Sequence, residues 1–128
     1  MIRFDDILEK VSASYGEKDL TLLKKAYVFA ARAHKGQTRR SGEPYLSHPL
    51  EVANMLADLR LDNTTLVAGL LHDVLEDTEV TAGEVRENFG PEVADLVEGV
   101  TKISRVQEAS PEVRQAETIR KIILAMIG

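Results

Sequence analysis

Hydrophobic positions along this chain recur at three- and four-residue intervals, and no stretch alternates with the two-residue period of a half-buried strand. Phe4, Ile7, Leu8 and Val11 fall on one face of a short helix over residues 4–14, which Gly16 ends. Leu20, Leu23, Ala26, Tyr27 and Ala30 do the same for a second helix over residues 19–35, with Gly36 where helices commonly stop. Residues 36–47, GQTRRSGEPYLS, are polar and hold Gly42 and Pro44, so they read as a loop. A third helix over 48–59 places Pro49 in its first turn, where a missing N–H costs nothing. A fourth over 64–76 takes Asn63 as its expected N-cap.

That fourth segment differs from the others. LVAGLLHDVL is apolar nearly all round, which predicts a helix buried in the middle of the domain. Thr81-Ala82-Gly83-Glu84 matches a capping box and opens a short helix to about Asn88. Phe89-Gly90-Pro91 is a break, and the next helix runs to about Thr101. Ser110-Pro111 pairs an N-cap with a first-turn proline and starts a last helix carrying Val113, Ala116, Ile119, Ile122, Ile123 and Met126. The expectation is an all-α bundle of about six to seven helices forming one domain over residues 1–128. Because Ala125-Met126-Ile127-Gly128 is still apolar where the sequence stops, the C-terminal part of that domain is expected to lie beyond it.

Composition narrows the class. At 128 residues, with 44% hydrophobic and 29% charged positions, the chain can build one core and is not a disordered segment. No apolar run is long enough to span a bilayer, and MIRFDDILEK carries charges where a signal peptide needs apolar residues. The absence of cysteine rules out disulfides and thiolate metal ligands, and a cytoplasmic location is expected. A net charge of −5 argues against a non-specific nucleic-acid binder, whose affinity comes from neutralising phosphates. Positive charge is nonetheless clumped at Arg32, Lys35, Arg39 and Arg40, which suits a small anionic ligand.

The chemistry concentrates in Leu70-Leu71-His72-Asp73-Val74-Leu75-Glu76-Asp77. On one continuous helix His72 and Glu76 would be neighbours at i,i+4, as would Asp73 and Asp77, so four ionisable groups would share one arc. Carboxylates near a helix C-terminus face the negative end of its dipole, and a buried ionised Asp beside a buried His costs several kcal/mol unless something compensates. A divalent cation is a natural compensator; a hydrogen-bonded His-Asp core pair with solvated Glu76 and Asp77 is the alternative. His48, in Tyr45-Leu46-Ser47-His48-Pro49, completes a His/His/Asp set suited to Zn, Mn or Fe, although taken singly it would serve as a cap or core residue. His34 reads as a C-terminal helix residue facing the dipole. Arg39 and Arg40 are either a solvated turn or a phosphate and nucleobase contact. No P-loop, dinucleotide fingerprint or Ser or Cys nucleophile motif is present.

Three runs carry a family resemblance: His34-Lys35-Gly36-Gln37; Arg39-Arg40-Ser41-Gly42-Glu43-Pro44-Tyr45 with Ser47-His48-Pro49; and Ala68-Gly69-Leu70-Leu71-His72-Asp73-Val74-Leu75-Glu76-Asp77-Thr78. Phe89-Gly90 and Val100-Thr101-Lys102 extend them. The chain resembles the amino-terminal hydrolase domain of the RelA/SpoT family. The resemblance implies an HD-superfamily helical fold that binds Mn²⁺ and removes the 3′-pyrophosphate of guanosine tetra- and pentaphosphate, giving GDP or GTP. It implies His48, His72 and Asp73 as metal ligands, Glu76 and Asp77 as the acidic pair acting on water, and Arg39 and Arg40 as nucleotide contacts. The family's fourth ligand is an Asp in a later K-L-A-D-R-L-H-N-like segment, and nothing after Thr118-Ile119-Arg120-Lys121-Ile122 supplies it here. A synthetase domain further downstream is implied for the large family members. An HD-type phosphohydrolase acting on other nucleotides, or a nucleotide-sensing regulatory domain without turnover, stays open beside the hydrolase reading.

Overall fold

The computed structural model describes residues 2–35, 47–106 and 114–127. The expected loop with Arg39 and Arg40, and the expected cap at Ser110-Pro111, lie outside the described residues. Eight helical segments follow one another among those described, and no strand: α1 (Phe4–Val11), α2 (Glu17–Ala33), α3 (Ser47–Asp58), α4 (Asn63–Leu71), α5 (Val74–Asp77), α6 (Ala82–Phe89), α7 (Pro91–Val106) and α8 (Arg114–Ile127). The all-α expectation holds. The added segment arises because the helix expected over 64–76 is two helices, broken at His72-Asp73.

α4 lies at the centre and packs on α2, α3, α7 and α8. Its all-round apolar sequence is the cause: Leu66, Val67, Leu70 and Leu71 are each 0% exposed, and burying side chains of this size contributes about 1.5–3 kcal/mol apiece. Gly69 lets α3 come close, since a Cβ built there would sit 2.7 Å from Leu56 Cδ1 and 3.6 Å from Val52 Cγ1. The N-cap is Asp62 rather than Asn63. Asp62 Oδ1 accepts from Thr65 N at 3.1 Å and also from the Thr65 hydroxyl, while Asn63 sits buried in the first turn. Aspartate wins because its carboxylate satisfies two donors and meets the positive end of the helix dipole.

The capping box expected at Thr81 and Glu84 forms: Glu84 N donates to Thr81 Oγ1 at 3.2 Å, and Thr81 N to Glu84 Oε1 at 3.4 Å. Gly90, with φ of 94°, takes the left-handed turn between α6 and α7 that a side chain would resist. α7 runs to Val106, beyond the Thr101 expected from periodicity. On α8, Ile119 and Ile122 are buried as expected, whereas Ile123 and Met126 are 39% and 44% exposed. No helix among the described residues is long and apolar enough to cross a membrane.

Candidate metal centre

Three helices converge on one buried point. His48, in the first turn of α3, His72, which caps α4, and Asp73, which precedes α5, are 4%, 3% and 7% exposed. Their nearest ligand atoms lie within 4.8 Å of one another. The two imidazole rings stand 5.1 Å apart between centroids, tilted by 71°. Close packing of α3 on α4 over Gly69 is what holds His48 against His72.

The break between α4 and α5 aims these groups. Asp73 relaxes to φ −96° and ψ −6°, and the helix resumes at Val74 with Asp77 N donating to Asp73 O at 2.9 Å. His72 Nδ1 lies 2.6 Å from Gly69 O. A carbonyl can only accept, so Nδ1 carries the hydrogen and Nε2 is left facing Asp73 Oδ2 at 3.2 Å. Buried Nε2 makes no hydrogen bond, although a buried polar atom ordinarily has one. Two imidazoles and a carboxylate, one nitrogen of them unsatisfied, fit a divalent cation. The break shortens the helix that ends at Asp77 to the four residues Val74–Asp77, so Glu76 and Asp77 face the dipole of one turn rather than of a long helix.

Asp73 joins this group to a second one. Asp73, Glu76 and Asp77 bring carboxylate oxygens within 4.8 Å of each other, with Glu76 and Asp77 on the solvent side. They open onto an acidic groove of about 670 Å³ lined by Ala33, Glu76, Asp77, Thr78, Glu79, Val80 and Glu84. Crowding perturbs the charges. Burial disfavours a charged His72, but the adjacent Asp73 carboxylate, the Gly69 carbonyl and Glu76 outweigh it, so its pKa stands above the usual histidine value. Burial first, then repulsion from Asp73 and Asp77, pushes Glu76 above the usual carboxylate range, with His72 and Lys121 pulling the other way.

The structure thus brings together five of the seven residues singled out from sequence: His48, His72, Asp73, Glu76 and Asp77. Arg39 and Arg40 lie outside the described residues. His34 does cap α2 as expected, with its backbone N–H donating to Ala30 O, and it is buried at 4% exposure. Sequence reasoning missed Gly69, whose carbonyl fixes the His72 tautomer. A glycine three residues before a histidine, inside an otherwise apolar helix, was the available signal. It also missed Lys121, which the fold turns toward Glu76 from α8, and no local spacing could have revealed that.

A helical bundle that buries His-Asp at a helix break, with a further histidine from the helix packed against it, defines the HD class of domain. The HD domain family matches residues 26–128. A GTP pyrophosphokinase of Myxococcus xanthus is 52% identical over 130 residues, covering 96% of this chain and 17% of that protein. The bifunctional (p)ppGpp synthase/hydrolase SpoT of Escherichia coli K12 is 44% identical, covering 99% of this chain and 18% of its own length. A solved structure, described as a metazoan orthologue of SpoT that hydrolyses ppGpp, superposes with a TM-score of 0.65 at 30% identity, covering 88% of this chain and 67% of that one. The chain belongs to the RelA/SpoT family of HD domains. It spans less than a fifth of the length of these curated relatives.

Proposed function

We propose that this domain hydrolyses the 3′-pyrophosphate of guanosine tetra- and pentaphosphate, with Mn²⁺ as cofactor, giving GDP or GTP. The observation that carries the proposal is the convergence of His48, His72 and Asp73 within 4.8 Å, with Glu76 and Asp77 joined to them through Asp73. Support comes from relatives named as (p)ppGpp synthase/hydrolase and as guanosine-3′,5′-bis(diphosphate) 3′-pyrophosphohydrolase.

His48, His72 and Asp73 would hold the cation through two nitrogens and a carboxylate oxygen, a set that accepts Mn, Fe or Zn. Bound there, the metal supplies Lewis-acid polarisation of a phosphoryl oxygen and a lowered pKa for water. Glu76, held above the usual carboxylate range by burial and its acidic neighbours, takes a proton from the attacking water. Asp77 orients that water. The bond from phosphorus to the 3′ oxygen breaks, the new P–O bond comes from water, the proton taken from water is returned to the 3′ oxygen as a hydroxyl, and pyrophosphate leaves. Gly69 keeps the His72 ring in the tautomer that frees Nε2 for the cation. Arg39 and Arg40 would meet the guanine nucleotide, a role guanidinium fills by stacking and by paired hydrogen bonds.

The test is to incubate the gene's full translation product with guanosine tetraphosphate and Mn²⁺ and to follow pyrophosphate release. Release that EDTA stops is the expected result. Intact substrate, or release of monophosphate from ordinary nucleotides instead, would overturn the assignment. Calorimetric binding of guanosine tetraphosphate without turnover would mark a sensing domain rather than an enzyme.

A further inference from the structure

Beyond the acidic groove lies a second groove of about 720 Å³, walled by the outer face of α2 and by α6. It shares Ala33, Val80 and Glu84 with the acidic one, so the two are continuous. Its charge is opposite. Lys24, Lys25 and Arg32 line it from α2 against the single carboxylate of Glu84, two net positive charges on a chain whose total is −5. Among the described residues no carboxylate forms an ion pair with Lys24, Lys25 or Arg32. Glu84 has a partner of its own, since its Oε1 is the acceptor in the capping box with Thr81 at the start of α6. Lys25 is held in place: Nζ donates to Asn88 O at 2.8 Å and stands 5.3 Å over the Phe89 ring. The floor between the cations is apolar, with Phe29 and a Val28 that is 45% exposed.

We infer that this groove is a second anion site, separate from the hydrolytic centre, that takes a phosphorylated small molecule on Lys24, Lys25 and Arg32. The volume matches that of small-ligand sites, which run about 300–1,000 Å³. Three cations on one helix face, of which Lys25 is anchored, above an apolar floor suit a compact, doubly charged phosphate group better than a hydrophobic ligand. The residues face one groove because positions 21, 24, 25, 28, 29 and 32 share one side of a helix. An acidic peptide would meet the same charges, but it would have to lie along the groove and reach past Glu84 into the acidic half, where Glu76, Asp77 and Glu79 repel it.

Inorganic pyrophosphate is the probe, titrated into the full chain with EDTA present. Chelation separates this site from the hydrolytic reading, since no divalent ion is then available to either. Saturable shifts of backbone amide resonances confined to α2 and α6 are expected, weakening as salt rises. Lys24→Gln with Arg32→Gln should weaken pyrophosphate binding by about tenfold or more, the loss expected from charge-assisted hydrogen bonds. Glu84→Gln should tighten it, and glutamine preserves the capping box, so α6 stays formed. Unchanged circular dichroism in all variants shows that the fold is intact. Shifts confined to His48, His72 and Asp73, or binding that none of the three substitutions alters, would overturn the inference. So would an acidic peptide that binds the groove where pyrophosphate does not.

Discussion

At the end of α3, Leu61 N donates to Leu56 O and Arg60 N to Ala57 O, a Schellman closure in which the last carbonyls find partners. Around it Asp58 pairs with Lys10 at 2.8 Å near water, and the Tyr15 hydroxyl donates to Leu61 O at 2.8 Å. At the end of α4, by contrast, His72 and Asp73 are buried side by side, and His72 Nε2 makes no hydrogen bond. Both places are helix termini joined to the next element by a short connection. One spends its polar groups on closing the helix, where each is worth something to stability. The other holds a histidine and a carboxylate out of water 3.2 Å apart, where burial opposes the charge that their mutual attraction favours. Polar groups that close a helix are shared out among partners at the surface; His72 and Asp73 keep theirs concentrated in the interior.

The sharpest way to break this contrast is to alter the α4 end and watch stability and activity separate. On the proposed function, His72→Ala or Asp73→Asn should lower metal-dependent hydrolysis by about a thousandfold or more, because a ligand to the cation would be removed. In EDTA, at a pH high enough to leave His72 neutral, the Asp73→Asn protein should melt no earlier than the parent, since a buried charge has gone. Lys10→Ala, at the α3 end, should cost at most about 1 kcal/mol and leave turnover unchanged. Chemical denaturation in chelator, run beside the hydrolysis assay, decides it. An Asp73→Asn protein several kcal/mol less stable without metal would show that the dipeptide is a structural pair.

Much of this contrast was legible from residues alone, for reasons that differ along the chain. The α4 core could be read because LVAGLL leaves no polar face, so any compact fold must surround it. The capping box at Thr81 and Glu84 is a local pattern and formed as expected. The break at His72-Asp73 was not legible. Helical periodicity continues through it, and only the tertiary demand of aiming the side chains at His48 decides the backbone there. Asp62 displaced Asn63 as N-cap because the two neighbours are near-equal in capping preference and the carboxylate satisfies two donors rather than one. The five clustered residues could be singled out from their types and motif, but the opposed charges of the two grooves required helices distant in order to meet.

A second prediction asks how tightly the two helices must pack. Gly69→Ala puts a Cβ 2.7 Å from Leu56 Cδ1, a fully buried side chain. Alanine's better helix propensity returns at most about 1 kcal/mol. Overpacking costs about 1–3 kcal/mol, so the net change should be a loss of roughly 1–2 kcal/mol in denaturant unfolding. Metal affinity should fall with it, since α3 carries His48 and α4 carries His72. A stabilised variant with unchanged metal affinity would mean that Leu56 rotates aside and that the close approach does not position the centre.

The α3 end carries its pH signature in the alkaline range. Burial, then the nearby Asp62 and Asp19 carboxylates, push the Tyr15 phenol up to about 12. A group whose folded pKa lies above its unfolded value stabilises fully below the unfolded pKa, near 10 for tyrosine, and loses that contribution as pH rises through the folded one. Stability should therefore decline between about pH 10 and 12, over a window set by Tyr15. Tyr15→Phe removes the hydrogen bond to Leu61 O and should cost about 0.5–1.5 kcal/mol at neutral pH. The difference between parent and variant should shrink as the buffer is taken past pH 10, in parallel unfolding series. A constant difference across that range would show that the phenol does not titrate as a partner of the α3 end.

The smallest effect tests whether the α3 end is purely architectural. Arg60 takes φ of 58°, the left-handed conformation that a Schellman closure needs at this position and that glycine ordinarily supplies. A side chain there costs about 1–2 kcal/mol of backbone strain, part of which glycine gives back through its greater freedom in the unfolded chain. Arg60→Gly should therefore gain roughly 0.5–1 kcal/mol, with the closure bonds from Arg60 N and Leu61 N kept. Arg60 also lines a polar pocket of about 490 Å³ with Lys10, Ser14, Tyr15 and Asp58. If the arginine merely fills a turn, the glycine variant is more stable and hydrolyses at the parental rate. A loss of stability would show that its contacts in the pocket outweigh the strain, and the α3 end would then hold its charge for more than closing a helix.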